Sequence, residues 1–313
     1  MNVQSNKIAL TRETHSHTSQ KIANVFIIGA AKSGTSHLCA LLNRHSQICV
    51  NKSKEPCFFA YDSEYQKGLE YYSDGFSEAT DEHKVLIDGS TPYSRCTVFP
   101  NVPERIFKAV PDAKFVYVMR HPIDRAFSHY THRWMKEVHP GESFSETFEE
   151  YVEHDRMCID DSLYKLQVEQ YLEYFPIDRF LFLLTEDLNP NWEETLKKIC
   201  DHIGIDYEPI ENEQSNKSNV ASDFRSVQAR NTITSKLKAI PGVSLLAPIM
   251  PRSFRQWIYS QGLRKLNLYK KELSRFTPKP MRPETRQRLA NHFEESITWV
   301  EQTLNKDLSA WRK

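Results

Sequence analysis

The stretch Phe26 to Ser36, FIIGAAKSGTS, does most to limit how this chain can fold. An apolar run breaks into glycine, lysine and small hydroxyl residues, and a helical pattern follows from His37 to His45. That order describes a buried strand delivering backbone N–H groups to the start of a helix, where unpaired donors and the helix dipole favour an anion. A nucleoside-triphosphate loop reads G-x-x-x-x-G-K-[ST], with the lysine directly after the second glycine. Here Gly29-Ala30-Ala31-Lys32-Ser33-Gly34-Thr35-Ser36 sets the lysine two residues before that glycine. The anion cradle survives this mismatch, while a nucleoside-triphosphate identity weakens. A plain strand-to-helix turn, in which Ser and Thr only cap the helix, competes with it.

Further short runs rich in Val, Ile and Phe, at Val85 to Ile87, Phe115 to Val118 and Phe180 to Leu184, resemble Val25 to Ile28 and predict buried parallel strands. Helical patterns lie between and beyond them, at Val102 to Val110, Ile123 to Glu137, Ser145 to His154, Ser162 to Phe175 and Trp192 to Ile203. The alternation predicts an α/β fold, a mostly parallel sheet with helices on both faces. Ligands of such sheets bind outside the C-terminal strand ends, which puts 29–36, 88–93, 120–124 and 185–187 on one rim. From about Glu211 the pattern loosens into a polar loop and a Pro-broken apolar piece. A last helix over Pro283 to Lys306 repeats Leu289, Phe293, Ile297, Val300 and Leu304 at helical spacing, as a helix docked on the core would.

With 313 residues and 39% apolar content the chain can fill a core. We expect a flexible tail over 1–20 and a single domain over 21–313, with a helical or lid insertion at 231–280. Forty-one basic residues balance 41 acidic ones, so no global field recruits nucleic acid or an anionic membrane, and any anion site is local. The polar start lacks the apolar core of a signal peptide and no run is long enough to span a bilayer, which predicts a cytoplasmic protein. The six cysteines form no C-x-x-C pair, so we expect reduced core thiols rather than zinc ligands or a disulfide framework. The segment Ile240 to Met250 is a candidate homodimer patch.

Two further constellations carry chemistry. In FVYVMRHPIDRAFSHYTHRW, Arg120 leaves a strand, Pro122 suits a first helical turn, and Ser128 shares a helix face with Asp124 and Arg125. The planar arginine fork suits a phosphate, although Arg120 and Arg125 could equally pair with Asp124 and other surface carboxylates. In NKSKEPCFFAYD, Pro56 holds Glu55 extended near the end of a short strand, Ile48 to Val50. The phenylalanines behind it, Phe58 and Phe59, are expected to bury Glu55 and raise its pKa toward that of a general base. A salt-bridged loop glutamate is the competing reading.

GAAKSGTS after one strand and RHPIDRAFSHY after a later one resemble the motifs of the PAPS-dependent sulfotransferases, whose donor is 3′-phosphoadenosine 5′-phosphosulfate. KEPCFF resembles the branch with heparan-sulfate-type and many bacterial enzymes. The likeness runs from about Asn24 to Asn219 and returns in the closing helix. It implies a three-layer, P-loop NTPase-like sulfotransferase fold and an enzyme that moves a sulfuryl group from PAPS to a hydroxyl or amine, releasing PAP, without a metal.

Residue by residue, the resemblance implies that Lys32, the amides of Ser33, Gly34, Thr35 and Ser36, and the hydroxyls of Thr35 and Ser36 hold the 5′-phosphosulfate. Arg120 and Ser128 hold the 3′-phosphate, and Tyr164 borders the cofactor. Lys217 and Ser218, with Arg225 or Arg230, lie in the loop that closes over the nucleotide, although its sequence departs from the Lys-Gly-rich form. Thr91 and Tyr93 match an acceptor loop. Lys32 is then the leaving-group stabiliser and Glu55 the base, with Phe58 and His121 as further acceptor-side candidates and His121 a rival base. The even charge mix favours a small-molecule acceptor of bacterial specialised metabolism over a polyanionic glycan. A P-loop kinase or NTPase, or a noncatalytic nucleotide-binding protein, remains the alternative.

Overall fold

A computed structural model describes residues 20–137, 146–188, 192–210, 233 and 278–313. The tail up to residue 19, the loop with Lys217 and Ser218, the segment Ile240 to Met250 and nearly all of 231–280 lie outside the described residues.

Five strands form one sheet: β1 (Val25–Gly29), β2 (Ile48–Val50), β3 (Val85–Asp88), β4 (Lys114–Met119) and β5 (Phe180–Leu184). Their order is β2-β3-β1-β4-β5, and every pairing is parallel, with Val25 opposite both Ile87 and Lys114. Apart from Lys114 at the start of β4 and Asp88 at the end of β3 the strands carry no charge, because helices cover both faces. Alternate residues divide between two cores, as the strand period of two requires. Val25, Ile27, Val116 and Val118 pack with helices α1 (Thr35–Leu42) and α10 (Trp192–Ile203). Phe26, Ile28, Phe115, Tyr117 and Met119 join the opposite core.

That second core is aromatic. Phe115 stacks on Phe180 at 4.7 Å and meets Phe26 at 5.8 Å, and each such fully buried ring contributes about 1.5–3 kcal/mol by burial. It is covered by α4 (Val102–Ala109), α5 (Pro122–Glu137), α6 (Phe148–His154), α7 (Arg156–Asp160), α8 (Tyr164–Leu172) and α11 (Pro283–Leu304). The periodic face of α11 is buried at Leu289, Phe293, Ile297 and Val300, as its spacing predicts. Ser296 of the same helix accepts from Tyr164 N at 2.8 Å and donates to Ser162 O at 3.1 Å, fixing α11 on the start of α8.

Helix boundaries differ from the sequence expectation where capping intervenes. Helix α6 begins at Phe148, not Ser145, because Thr147 and Glu150 form a capping box there. Short α2 (Asp62–Tyr65), α3 (Gly68–Ser73) and α9 (Thr185–Leu188) were not expected. The cysteines are all free, five buried and Cys57 half-buried, in line with reduced thiols. Among the described residues no helix is long and apolar enough to cross a membrane.

The topology positions a site. The central neighbours β1 and β4 send their chains to opposite faces, β1 into α1 on one side and β4 into α5 on the other. A crevice opens between diverging connections at such a switch point.

Candidate active site

The β1 loop presents donors. Gly34, the N-cap of α1, sits in the left-handed region at φ 87°, and no side chain caps the helix. The capping alternative raised by the sequence is therefore not what forms, and while His37 N turns back to Gly34 O at 3.1 Å, the N–H groups of Thr35 and Ser36 keep their capacity to donate. The loop carbonyls, by contrast, are occupied from three elements. Ala31 O accepts from Arg125 Nη1 at 3.4 Å, Lys32 O from Arg120 Nη1 at 3.1 Å, and Ser33 O from Thr185 Oγ1 at 3.0 Å. With its carbonyls consumed, the loop shows mostly positive dipole ends, as an anion site needs. Ser33 Oγ is wholly buried with no partner among the described residues, Lys32 is half-buried in a left-handed conformation at φ 73°, Thr35 is buried and Ser36 is exposed.

The β4 loop is clasped from below. Tyr164, fully buried, donates its hydroxyl to Arg120 O at 2.6 Å and accepts from Arg120 N at 3.2 Å. Burial drives that phenol up to about 12, so it stays protonated and keeps both roles. Tyr164 thus borders the site by holding Arg120 rather than by facing it. Neither arginine pairs with Asp124, which meets Arg286 at 3.0 Å, but Arg125 lies 3.6 Å from the Asp161 carboxylate, a buried partner rather than a surface one. Arg125 is fully buried and donates to Ser162 Oγ, Cys158 O and Ala31 O. Ser128 lies half-buried one turn further along α5.

His121 is corrected as an acceptor-side residue. Its ring packs 5.9 Å from Trp311, and Nε2 lies 3.2 Å from Arg286 Nη2, so it sits under the C-terminal helix. Burial, aided by the Arg286 and Arg120 cations against Asp124, lowers its pKa, and the neutral ring accepts from Arg286.

On the far side of β1, Glu55 Oε1 meets Lys54 Nζ at 3.1 Å and accepts from Thr91 Oγ1 at 3.3 Å. Thr91 therefore lies beside Glu55. The expected apolar burial of Glu55 is not found: its side chain is 33% exposed. Phe58 and Phe59 point the other way, Phe58 stacked on Tyr72 at 4.7 Å and Phe59 against Phe26 at 5.7 Å. Tyr93 is equally a core residue, fully buried, its hydroxyl given to Asp88 at 2.7 Å. Phe58 and Tyr93 are thus packing residues rather than acceptor contacts.

Sequence reasoning put Asp88 and Thr185 on the ligand-facing rim without giving either a role, and it read Arg125 as a surface charge. Neither spacing nor motif marks residues whose partners come from distant segments, Ala31, Cys158 and Ser162 for Arg125 and Ser33 and Met119 for Thr185.

A family model described as "Sulfotransferase domain" matches residues 23–241. The heparan sulfate glucosamine 3-O-sulfotransferase 5 of Mus musculus is 30% identical over 169 residues, 51% of this chain and 47% of that protein. The membrane-associated sulfotransferase kil1 of Dictyostelium discoideum is 34% identical over 118 residues, 37% of this chain and 24% of that one. The chain spans about half or less of the length of these curated relatives. The crystal structure of a sulfotransferase from Alicyclobacillus acidocaldarius superposes with a TM-score of 0.62 at 21% identity, covering 94% of this chain and 100% of that one, and so shares the fold.

Proposed function

Because this chain belongs to the sulfotransferase domain family, we propose that it transfers a sulfuryl group from PAPS to a hydroxyl or amine of a small-molecule acceptor. The observation that carries this reading is the pair of loops at the β1–β4 switch point. One has spent its carbonyls and left an uncapped helix start, and the other places an arginine against it through the 3.1 Å contact of Arg120 with Lys32 O. The orphaned buried hydroxyl of Ser33 fits a ligand oxygen in the same loop. These residues fit an adenylate with an anionic group at each end. PAPS, when bound, supplies the sulfuryl group and leaves as PAP.

Lys32 and the amides of Gly34 to Ser36 bind the 5′-phosphosulfate end, the Ser33 amide being spent on Ala30 O at 3.1 Å, and the Lys32 ammonium steadies negative charge growing on the departing phosphate. Arg120, oriented by Tyr164, binds the 3′-phosphate with Ser128. Glu55, oriented by Thr91 Oγ1, takes the acceptor proton, and its exposure leaves it reachable by an acceptor from solvent. As in phosphoryl transfer, such residues act mainly by positioning and charge stabilisation. The 41 to 41 charge balance supports a small acceptor over a polyanion.

Calorimetric titration with PAP, followed by transfer of label from [35S]PAPS to a panel of phenols, alcohols, amines and heparan oligosaccharides, tests the reading. PAP binding with label on a small acceptor is expected. Label on heparan oligosaccharide alone overturns the small-molecule assignment, and absent PAP binding with magnesium-dependent ATP turnover overturns the donor.

A further inference from the structure

Between β2 and α2 the chain that carries Glu55 has no regular secondary structure, and its order on the C-terminal side of Glu55 traces to one buried carboxylate. Asp88, at the end of β3, is fully buried and accepts from three hydroxyls: Ser90 Oγ at 2.6 Å, Tyr93 OH at 2.7 Å and Tyr72 OH at 2.8 Å. Two of these hydroxyls also hold the Glu55 segment. Ser90 Oγ accepts from Cys57 N at 3.0 Å, and Tyr93 OH accepts from Phe59 N at 3.3 Å. A hydroxyl has one hydrogen, and an ionised carboxylate only accepts. Because Asp88 takes the hydrogen of each, their lone pairs are left for the two amides. Gly89 completes the fit, since a Cβ there would stand 2.5 Å from Cys39 Sγ and 3.4 Å from Lys54 O. The bare backbone lets the Glu55 segment, β3 and α1 pack together.

We propose that Asp88 is a positioning residue for Glu55, holding the segment that carries it in register through Ser90 and Tyr93 and so setting where the base meets the acceptor. This rests on the reading of Glu55 as the base. Asp88 touches neither donor nor acceptor; it acts through two hydroxyls and two amides, while the neighbouring Thr91 touches Glu55 directly.

The test compares Ser90→Ala and Tyr93→Phe, each cutting one link to the segment, with Tyr72→Phe, which costs Asp88 a hydrogen bond but no link. Asp88→Asn is the fourth variant. It puts two N–H donors where an oxygen accepted, so Ser90 or the tyrosine pair must turn a hydroxyl hydrogen away. Amide exchange at Cys57 and Phe59 is read in each PAP-bound protein, together with PAP affinity. Turnover of [35S]PAPS is read with 2-naphthol and without acceptor, where water takes the sulfuryl group to give sulfate and PAP.

Ser90→Ala is expected to speed exchange at Cys57, Tyr93→Phe at Phe59 and Asp88→Asn at both, each by about tenfold or more. For these three kcat is expected to fall by about 10- to 100-fold at unchanged KM for PAPS. Tyr72→Phe is expected to change neither. Unchanged exchange in Ser90→Ala and Tyr93→Phe, or equal effects from Tyr72→Phe, overturns the proposal by reducing Asp88 to a core partner. Failure of the parent to bind PAP counts instead against the donor reading, and the exchange comparison on the free protein still decides the role of Asp88.

Discussion

Arg120 reaches across from β4 to donate to the Lys32 carbonyl at 3.1 Å, while Tyr164 clasps its backbone on both sides. The β1 and β4 loops are therefore held to each other by contacts within the protein itself. Tyr164→Phe removes that clasp and leaves Arg120 N and O without it. A loss of about 1–3 kcal/mol in denaturant unfolding is expected, since buried polar groups lose their partner. PAP affinity should weaken with it, and an unchanged affinity would separate Tyr164 from nucleotide binding.

Glu55→Gln keeps the size of the side chain and its contact with Thr91 while removing the carboxylate proposed as the base. Turnover is expected to fall by about 10²- to 10⁴-fold with PAP binding intact. Single-turnover transfer measured beside PAP calorimetry checks both halves, and turnover within a few fold of the parent removes Glu55 from the chemistry.

Asp88 carries a pH signature in stability. Burial lifts its carboxyl from 3.8 to about 6 against the pull of Ser90, Tyr93 and Tyr72, with Cys39, Cys57 and Tyr171 also facing it. Between those values the folded protein holds a proton that the unfolded chain has released, so stability from this group is full below about 3.8 and is lost as pH rises to about 6. The 3.8-to-6 window corresponds to about 3 kcal/mol. Relative to Asp88→Asn, which does not titrate, the parent should lose stability across that window and run level above it. A flat difference in chemical denaturation from pH 4 to 7 contradicts the assignment.

Phe58 and Phe59 belong to the core rather than to the acceptor site, and the two placements differ in what mutation does. Phe59→Ala, at a ring that is 0% exposed, should cost about 3–5 kcal/mol of stability. The more conservative Phe58→Leu should lower the melting temperature without altering acceptor KM. A raised acceptor KM at unchanged stability would return Phe58 to the acceptor site.

The strand layer was legible because parallel strands buried on both faces must be continuously apolar, and Phe180–Leu184 and Trp192–Ile203 fall where those patterns stood. Short α2 and α3 left no trace, since four and six residues are too few for a helical period to show. The strand-tip positions of Lys32, Arg120 and Thr91 were readable, because an apolar run that breaks into polar residues marks where a strand ends. Direction was not: Phe58 and Tyr93 sit beside loop residues in sequence, yet their rings turn into the sheet. Nor could Asp88 be read, because Tyr72, Ser90 and Tyr93 converge on it from the α3 helix and the β3 loop without a common spacing.

The central claim is that the β1 and β4 loops grip opposite ends of one 3′-phosphorylated adenylate. Magnesium-free calorimetry of PAP and ADP against the parent and Arg120→Ala tests it most directly. A charge-assisted contact to the extra phosphate predicts PAP bound about 10- to 100-fold tighter than ADP by the parent, with the preference collapsing in Arg120→Ala. Equal affinity for the two nucleotides in the parent, or a preference that survives the loss of Arg120, contradicts it.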